Sequence, residues 1–269
     1  HEGQYDKMNA FFRTNGYDEV FTQGIYPAGK VVNSFGVQDD FLYDYAIPVL
    51  NQRAATGQPF FATLLSISNH PPYVIPPFFH PKTSEPETQI VEYADWALRQ
   101  FFEEARKQPW FDNTIFVLEG DHGKLVGDAE CELPESYNHI PLMIYSSRIQ
   151  PEEKTAFGGQ VDIQPTILGL LNIDYLQNNF GVDLLKEERP CMFYTADNMV
   201  VGRNDTLLYL YNYETQQELT YDIGNGKLNA VPMDDSFLPL KEYSFSMLQS
   251  AEFLVKHGKT LNSIPFTQQ

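Results

Sequence analysis

Two unbroken apolar runs, FFATLLSI at 60–67 and the segment 113–118 inside WFDNTIFVLEGDHG, bracket a stretch of helical periodicity at 87–108. Neither run alternates between apolar and polar residues. Each therefore predicts a strand covered on both faces, the environment of a parallel sheet, with a buried helical segment as the other reading. Between them Ile90, Ala94, Ala97, Phe101 and Ala105 return to one side, with Glu87 near the start and Arg106 and Lys107 near the end, charges that suit the two ends of a helix. Pro109 stops the pattern. A strand, a long connection and a helix leading into a second strand form a crossover, so the chain is expected to be α/β, with a central, mostly parallel sheet flanked by helices.

The rest of the chain fits around that unit. Residues 4–15 predict a helix ended by Gly16, 24–36 a loop, and 38–51 a second helix weakened by Pro48. A third strand is expected at 140–145, and Asp162 is placed to cap the helix of DIQPTILGLL, whose first turn tolerates Pro165. Beyond about residue 190 the runs CMFYT, NMVV, TLLYLYNY and QELTYDI are separated by turn formers, which predicts a small C-terminal antiparallel β region. A last helix is expected at 240–257. The organisation read from this is an α/β core over 1–190 and an antiparallel β and helical subregion of the same domain over 191–269. A length of 269 residues with 42% hydrophobic content can bury a core of that size.

A formal charge of −18 argues against nucleic acid as a partner, since no basic stripe is available to neutralise phosphates. It does not exclude one phosphorylated or sulfated substrate beside a metal ion, which inverts the local field. Cys131 and Cys191 permit at most one intrachain disulfide. No apolar segment approaches the length of a membrane span. The chain opens at HEGQYD without an initiator methionine, so it is expected to be an excised or processed portion, with an upstream anchor left open.

Chemistry concentrates after the second strand, where Asp121 and His122 stand at its carboxyl end, the side on which α/β sheets place their ligands. A carboxylate and an imidazole suit Zn or Mn but do not complete a shell. The alternative is a solvent-facing polar turn. Gly123 favours close approach to an ion, and Glu119 is a weaker ligand candidate because strand alternation points it elsewhere. His70, in SNHPPY, can bind an anionic oxygen or move a proton, or simply hydrogen-bond within its turn. His139 precedes the 140–145 strand and is a lesser candidate, while His1, His80 and His257 have no evident partner. There is no G-x-S-x-G elbow and no phosphate loop.

HEGQYDKMNAFFRTNGYDE, the strand with SNHPPY, the helix running into WFDNTIFVLEGDHG, and GQVDIQPTILGLLNID together resemble the extracellular catalytic domain of lipoteichoic acid synthase-like phosphoglycerol transferases, in the sulfatase and alkaline phosphatase superfamily. The resemblance covers most of residues 1–225. It implies an alkaline phosphatase/sulfatase-like α/β fold and one divalent cation, Mn or Mg, with Zn compatible. Asp121 and His122 would be two of its ligands, with His70, His139 and Lys7 on the substrate side. Lys7 stands where the family carries an arginine. The implied substrate is an anionic phosphodiester or lipid head group at the extracytoplasmic face of a bacterial cytoplasmic membrane, periplasmic in a Gram-negative cell, reached through upstream membrane helices. The family's threonine nucleophile and remaining carboxylate ligand belong to segments upstream of HEGQYD, so the chain alone is expected to be inactive. The rival readings are a sulfatase-type hydrolase, marked by an upstream C/S-x-P-x-R, and a catalytically inactive cell-envelope binding domain.

Overall fold

The computed structural model describes residues 3–260 except Val126 and Asn225. The chain separates into two units, His1–Val117 with Ile144–Gln150, and Leu118–Met143 with Pro151–Gln269.

The first unit starts with a 3-10 turn, Tyr5–Lys7, and helix α1, Met8–Thr14, where the sequence predicts one continuous helix. Asp6 and Lys7 interrupt it with left-handed φ values of 45° and 58°. Gly16 ends α1 as expected. At φ 94° it allows its own N–H to reach Arg13 O at 3.3 Å and that of Tyr17 to reach Phe12 O at 3.1 Å, a Schellman closure. The predicted loop at 24–36 holds 3-10 turns and a hairpin of β1, Val31–Asn33, and β2, Gly36–Val37.

Helix α2, Asp39–Ala54, continues through Pro48, and α3, Pro86–Ala105, begins with a proline at a position whose N–H has no helical partner in any case. The buried face of α3 is Ile90, Tyr93, Ala97, Phe101 and Ala105, which adds Tyr93 to the expected stripe and leaves Ala94 half-buried. Phe101 and Ala105 pack with Ala46 and Leu50 of α2 and with Trp110 and Phe111. Burying side chains such as Leu50 and Phe101 stabilises by about 1.5–3 kcal/mol each, so this cluster holds α2 against α3.

The expected strand at 60–67 is not formed among the described residues. Phe60, Phe61, Leu64 and Leu65 are exposed, Phe61 by 78%, and no described strand pairs with them. Apolar sequence makes a strand only where a neighbour takes up its N–H and C=O groups. The other two expected strands are present but shorter. They are β3, Phe116–Glu119, and β4, Leu142–Tyr145, which form a two-stranded sheet. Neither is covered on both faces.

In the second unit a 3-10 turn, Gln160–Asp162, leads into α4, Ile163–Leu170. Asp162 stands at the N-cap of α4, but its carboxylate does not cap that helix. It is fully buried and accepts N–H bonds from Gly159 and Val182, each at 2.8 Å, and from the Arg189 guanidinium at 2.6–3.0 Å.

The antiparallel region is a five-stranded meander of β5, Met192–Ala196, β6, Met199–Arg203, β7, Leu207–Asn212, β8, Gln217–Gly224, and β9, Lys227–Ala230. Asp197 and Asn198, both left-handed at φ 47° and 64°, make the two-residue turn between β5 and β6, as a twisted hairpin requires. One face of the meander packs on α5, Leu238–Lys256, through Tyr209, Phe237 and Leu240. Gly202 permits that approach, since a Cβ there would lie 2.6 Å from Ser244 Oγ. The other face packs Met199, Val201, Leu208, Leu210 and Tyr221 against Leu133. Cys131 packs on this second face and Cys191 on the α5 face, and both are free thiols. The one disulfide the sequence permits is therefore not made, because the sheet lies between the two sulfurs.

Candidate functional site

Strand β3 ends at Glu119, and the turn that follows presents Asp121 and His122 with their side chains about three-quarters exposed. Each side chain is half committed. Asp121 Oδ1 accepts the His122 N–H at 2.9 Å and His122 Nδ1 lies 2.8 Å from Gly123 O, while among the described residues Oδ2 and Nε2 have no hydrogen-bond partner. A carbonyl can only accept, so in the neutral ring Nδ1 carries the hydrogen and Nε2 keeps its lone pair. The two uncommitted atoms, Oδ2 and Nε2, face each other at 3.8 Å. Two ligand arms of about 2.0–2.2 Å span that separation, so the donor chemistry and spacing suit one divalent ion.

Backbone contacts set this turn. Gly120 N–H donates to Pro141 O at 3.3 Å, and Gly123 N–H to Tyr137 O at 2.8 Å. Gly123 passes so near the 3-10 turn Glu135–Tyr137 that a Cβ on it would lie 1.9 Å from Ser136 O. That turn is itself held to the meander: Glu135 pairs with Arg203 of β6, and Glu132 accepts from the Tyr221 hydroxyl of β8. The side-chain amide of Gln160 donates to Gly120 O at 3.2 Å and to Asp121 O at 2.9 Å. Partial burial, and then the charge of Asp121, raise the Glu119 carboxyl above its usual range. Among the described residues no third carboxylate, imidazole or thiolate completes a metal-binding group, so Glu119 does not join the couplet as a ligand. His139 is exposed at the approach to β4, its N–H donating to Glu135 O at 2.8 Å.

His70 and Lys7 belong to the first unit. His70 is exposed, its ring against Phe35 with centroids 3.8 Å apart and its Nδ1 2.7 Å from Pro71 O, which leaves Nε2 outward. The loop is anchored by the start of α2. Asp39, 2% exposed, accepts the N–H groups of Ile67 and Ser68 at 3.1 and 3.0 Å, and Gln38 donates to Val74 O at 2.7 Å. Lys7 is exposed immediately before α1. A cleft of about 520 Å³ beside α2 contains the Arg53–Glu19 ion pair but none of the predicted site residues.

Sequence reasoning missed Gln160, Gln38 and Asp39. The signal for Asp39 was available, as an acid directly before an apolar helical pattern, whereas Gln160 acts across a gap of 39 residues to Asp121 that no local pattern encodes.

A family model described as Sulfatase matches residues 2–173. The chain belongs to the sulfatase family. Lipoteichoic acid synthase 1 of Bacillus subtilis is 26% identical over 234 residues, covering 79% of this chain and 35% of that protein. Lipoteichoic acid synthase of Staphylococcus saprophyticus is 28% identical over 199 residues, covering 64% and 30%. This sulfatase-family chain thus spans about a third of the length of the curated relatives it matches. Among solved structures, a Vibrio parahaemolyticus protein of the alkaline phosphatase superfamily superposes with a TM-score of 0.80 at 26% identity, over 93% of this chain and 63% of that one. The lipoteichoic acid synthase LtaP of Listeria monocytogenes gives 0.78 at 21%, over 100% and 70%. The fold is that of the alkaline phosphatase superfamily, with the five-stranded antiparallel sheet at its C-terminal end.

Proposed function

We propose that this chain is the larger part of the catalytic domain of a metal-dependent phosphoglycerol transferase or phosphodiesterase that acts on a lipid-linked phosphoglycerol-type head group. The observation that carries the reading is the pair of uncommitted atoms, Asp121 Oδ2 and His122 Nε2, facing each other at 3.8 Å in a sulfatase-family chain similar to lipoteichoic acid synthases.

In this reading Asp121 and His122 hold one divalent cation, Mn or Mg, with Zn compatible with the imidazole. When bound, the ion supplies positive charge for the phosphoryl oxygens and lowers the pKa of a coordinated nucleophile. His70, kept in one orientation by Pro71 O and Phe35, presents Nε2 to a phosphate or leaving oxygen. Lys7 and His139 contribute substrate contacts, Lys7 as a point charge for phosphate. The nucleophilic threonine and the remaining carboxylate ligand come from residues outside this chain. With a net charge of −18, recognition concentrates on a single head group beside the ion rather than on an extended anionic polymer. The work site is the extracytoplasmic face of the cytoplasmic membrane. Among the described residues no helix is long and apolar enough to cross a membrane, so the anchor, like the nucleophile, is assigned to the rest of the protein.

The test is phosphoryl transfer from a phosphoglycerol lipid, assayed with Mn, Mg and Zn, for the complete gene product and for the 269-residue chain. The complete protein should turn over, and lose turnover on Asp121→Ala or His122→Ala. The chain alone should show little. Substantial turnover by the purified chain, abolished by those substitutions, would refute the assignment of essential groups to residues outside it.

A further inference from the structure

The couplet's two free atoms converge only if the backbone between Gly120 and Gly123 keeps its path, and one side chain outside the turn acts on that path directly. A primary amide nitrogen carries two N–H groups, and the Gln160 Nε2 lies 3.2 Å from Gly120 O and 2.9 Å from Asp121 O. We propose that Gln160 is a positioning residue for the Asp121–His122 couplet, holding these two consecutive carbonyls so that Asp121 Oδ2 and His122 Nε2 face a common point. The inference rests on the reading of the couplet as metal ligands.

Gln160 is suited to this by what lies behind it. It opens the 3-10 turn Gln160–Asp162, whose preceding residue, Gly159, donates its N–H to the buried Asp162 carboxylate at 2.8 Å. Asp162 is locked in turn by the Arg189 guanidinium and by Val182 N–H. The base of the Gln160 side chain is therefore fixed by a buried ion pair, while the residue is exposed and its amide donates to the turn it serves. Clamping Gly120 O and Asp121 O restrains the peptide planes on both sides of the Asp121 Cα, and so the direction of its side chain. His122 follows, because its N–H is bonded to Asp121 Oδ1. Neighbours that orient metal ligands in this way typically change metal affinity about 10–100-fold when removed.

The test reads the couplet by NMR in the 269-residue chain, without turnover. Mn²⁺ is titrated while broadening of the His122 imidazole resonances is followed, in the parent, Gln160→Ala, Gln160→Met and Asp121→Ala. Gln160→Met keeps the length of the side chain and removes both donors, and urea unfolding without metal verifies that each variant is folded. The expected result is half-broadening at about 10–100-fold higher Mn²⁺ in both Gln160 variants, with metal-free unfolding midpoints unchanged. Loss of broadening in Asp121→Ala with parent-like titration of both Gln160 variants would overturn the positioning role while leaving the ligand reading intact. Equal broadening in the parent and Asp121→Ala would overturn both.

Discussion

Adding one methyl group at Gly123 should damage the site far more than adding it at Gly120, although both glycines flank the same couplet. A Cβ on Gly123 would fall 1.9 Å from Ser136 O and 3.0 Å from its carbonyl carbon. Carbon and oxygen in even their closest favourable contacts stay about 3.3 Å apart, so backbone must move by on the order of an ångström. The segment that has to move also carries the Gly123 N–H bond to Tyr137 O. Overpacking of this kind costs about 1–3 kcal/mol and the strained hydrogen bond about 1 more, which gives about 2–4 kcal/mol for Gly123→Ala. At Gly120 the nearest atoms to a new Cβ are Ile140 Cβ and Cγ2 at 3.4 Å, an ordinary contact with a side chain. Gly120→Ala should stay within about 0.5 kcal/mol of the parent. Urea unfolding of the two variants gives the first comparison, and Mn²⁺-induced broadening of His122 the second. If Gly123→Ala unfolds with Gly120→Ala and titrates like the parent, the close passage of Gly123 against Ser136 does not determine the turn, and the account of the couplet's geometry fails.

Removing Arg189 should be among the most damaging single changes. It leaves the fully buried Asp162 with the Gly159 and Val182 amides alone, and breaking a buried pair from one side costs about 3–5 kcal/mol. Arg189→Met losing under 1 kcal/mol in urea unfolding would contradict this. Asp39 gives a pH signature. Burial raises its carboxyl above the usual range in spite of the N–H bonds from Ile67 and Ser68. A raised folded pKa favours folding below the unfolded value, about 3.9, and that contribution is lost as pH rises through the folded pKa. Asp39→Asn can keep the Oδ1 acceptor for both amides but does not titrate. Its stability relative to the parent should therefore increase from about pH 4 upward, and an increase toward acid would reverse the argument. Cys131 and Cys191 both have thiols pushed up by burial and lie on opposite faces of the meander. Mild oxidation should leave the intact mass and melting point unchanged, whereas an intramolecular crosslink would disprove the placement.

Much of this was legible in local pattern. The stripe of α3, the first four strands of the C-terminal meander but not β9, the end of α1 at Gly16 and the Asp-His couplet after β3 each depend on residues within a turn or a strand of one another. Helical period, two-residue alternation and glycine chemistry record such neighbours directly. The supports of the site are of another kind. Gln160 reaches Gly120, Arg203 reaches Glu135 and Asp39 reaches Ser68 across 40, 68 and 29 residues. Gln160 and Arg203 stand on or beside elements whose own formation needs neither contact. Asp162 was legible as a helix-start residue, but its role as the partner of Arg189 was not, since an N-cap and a buried ion pair ask for the same residue type.

The run at 60–67 exposes a deeper limit. Its composition is that of an interior strand, yet Phe61 is 78% exposed and no described strand pairs with it. Composition reports what a segment does once neighbours flank it. It does not report whether they are in the same stretch of chain. The same reasoning applies to the couplet. In the proposed reading the carboxylate and the imidazole, with Oδ2 and Nε2 3.8 Å apart, are two ligands of a larger set. If the residues outside this chain that are proposed above to supply the remaining ligand also supply strand partners for 60–67, then adding them should bury Phe61 and tighten Mn²⁺ binding together. Tighter binding with Phe61 still open to solvent, read by hydrogen exchange of residues 60–66, would separate the two and show that the exposed run has another purpose.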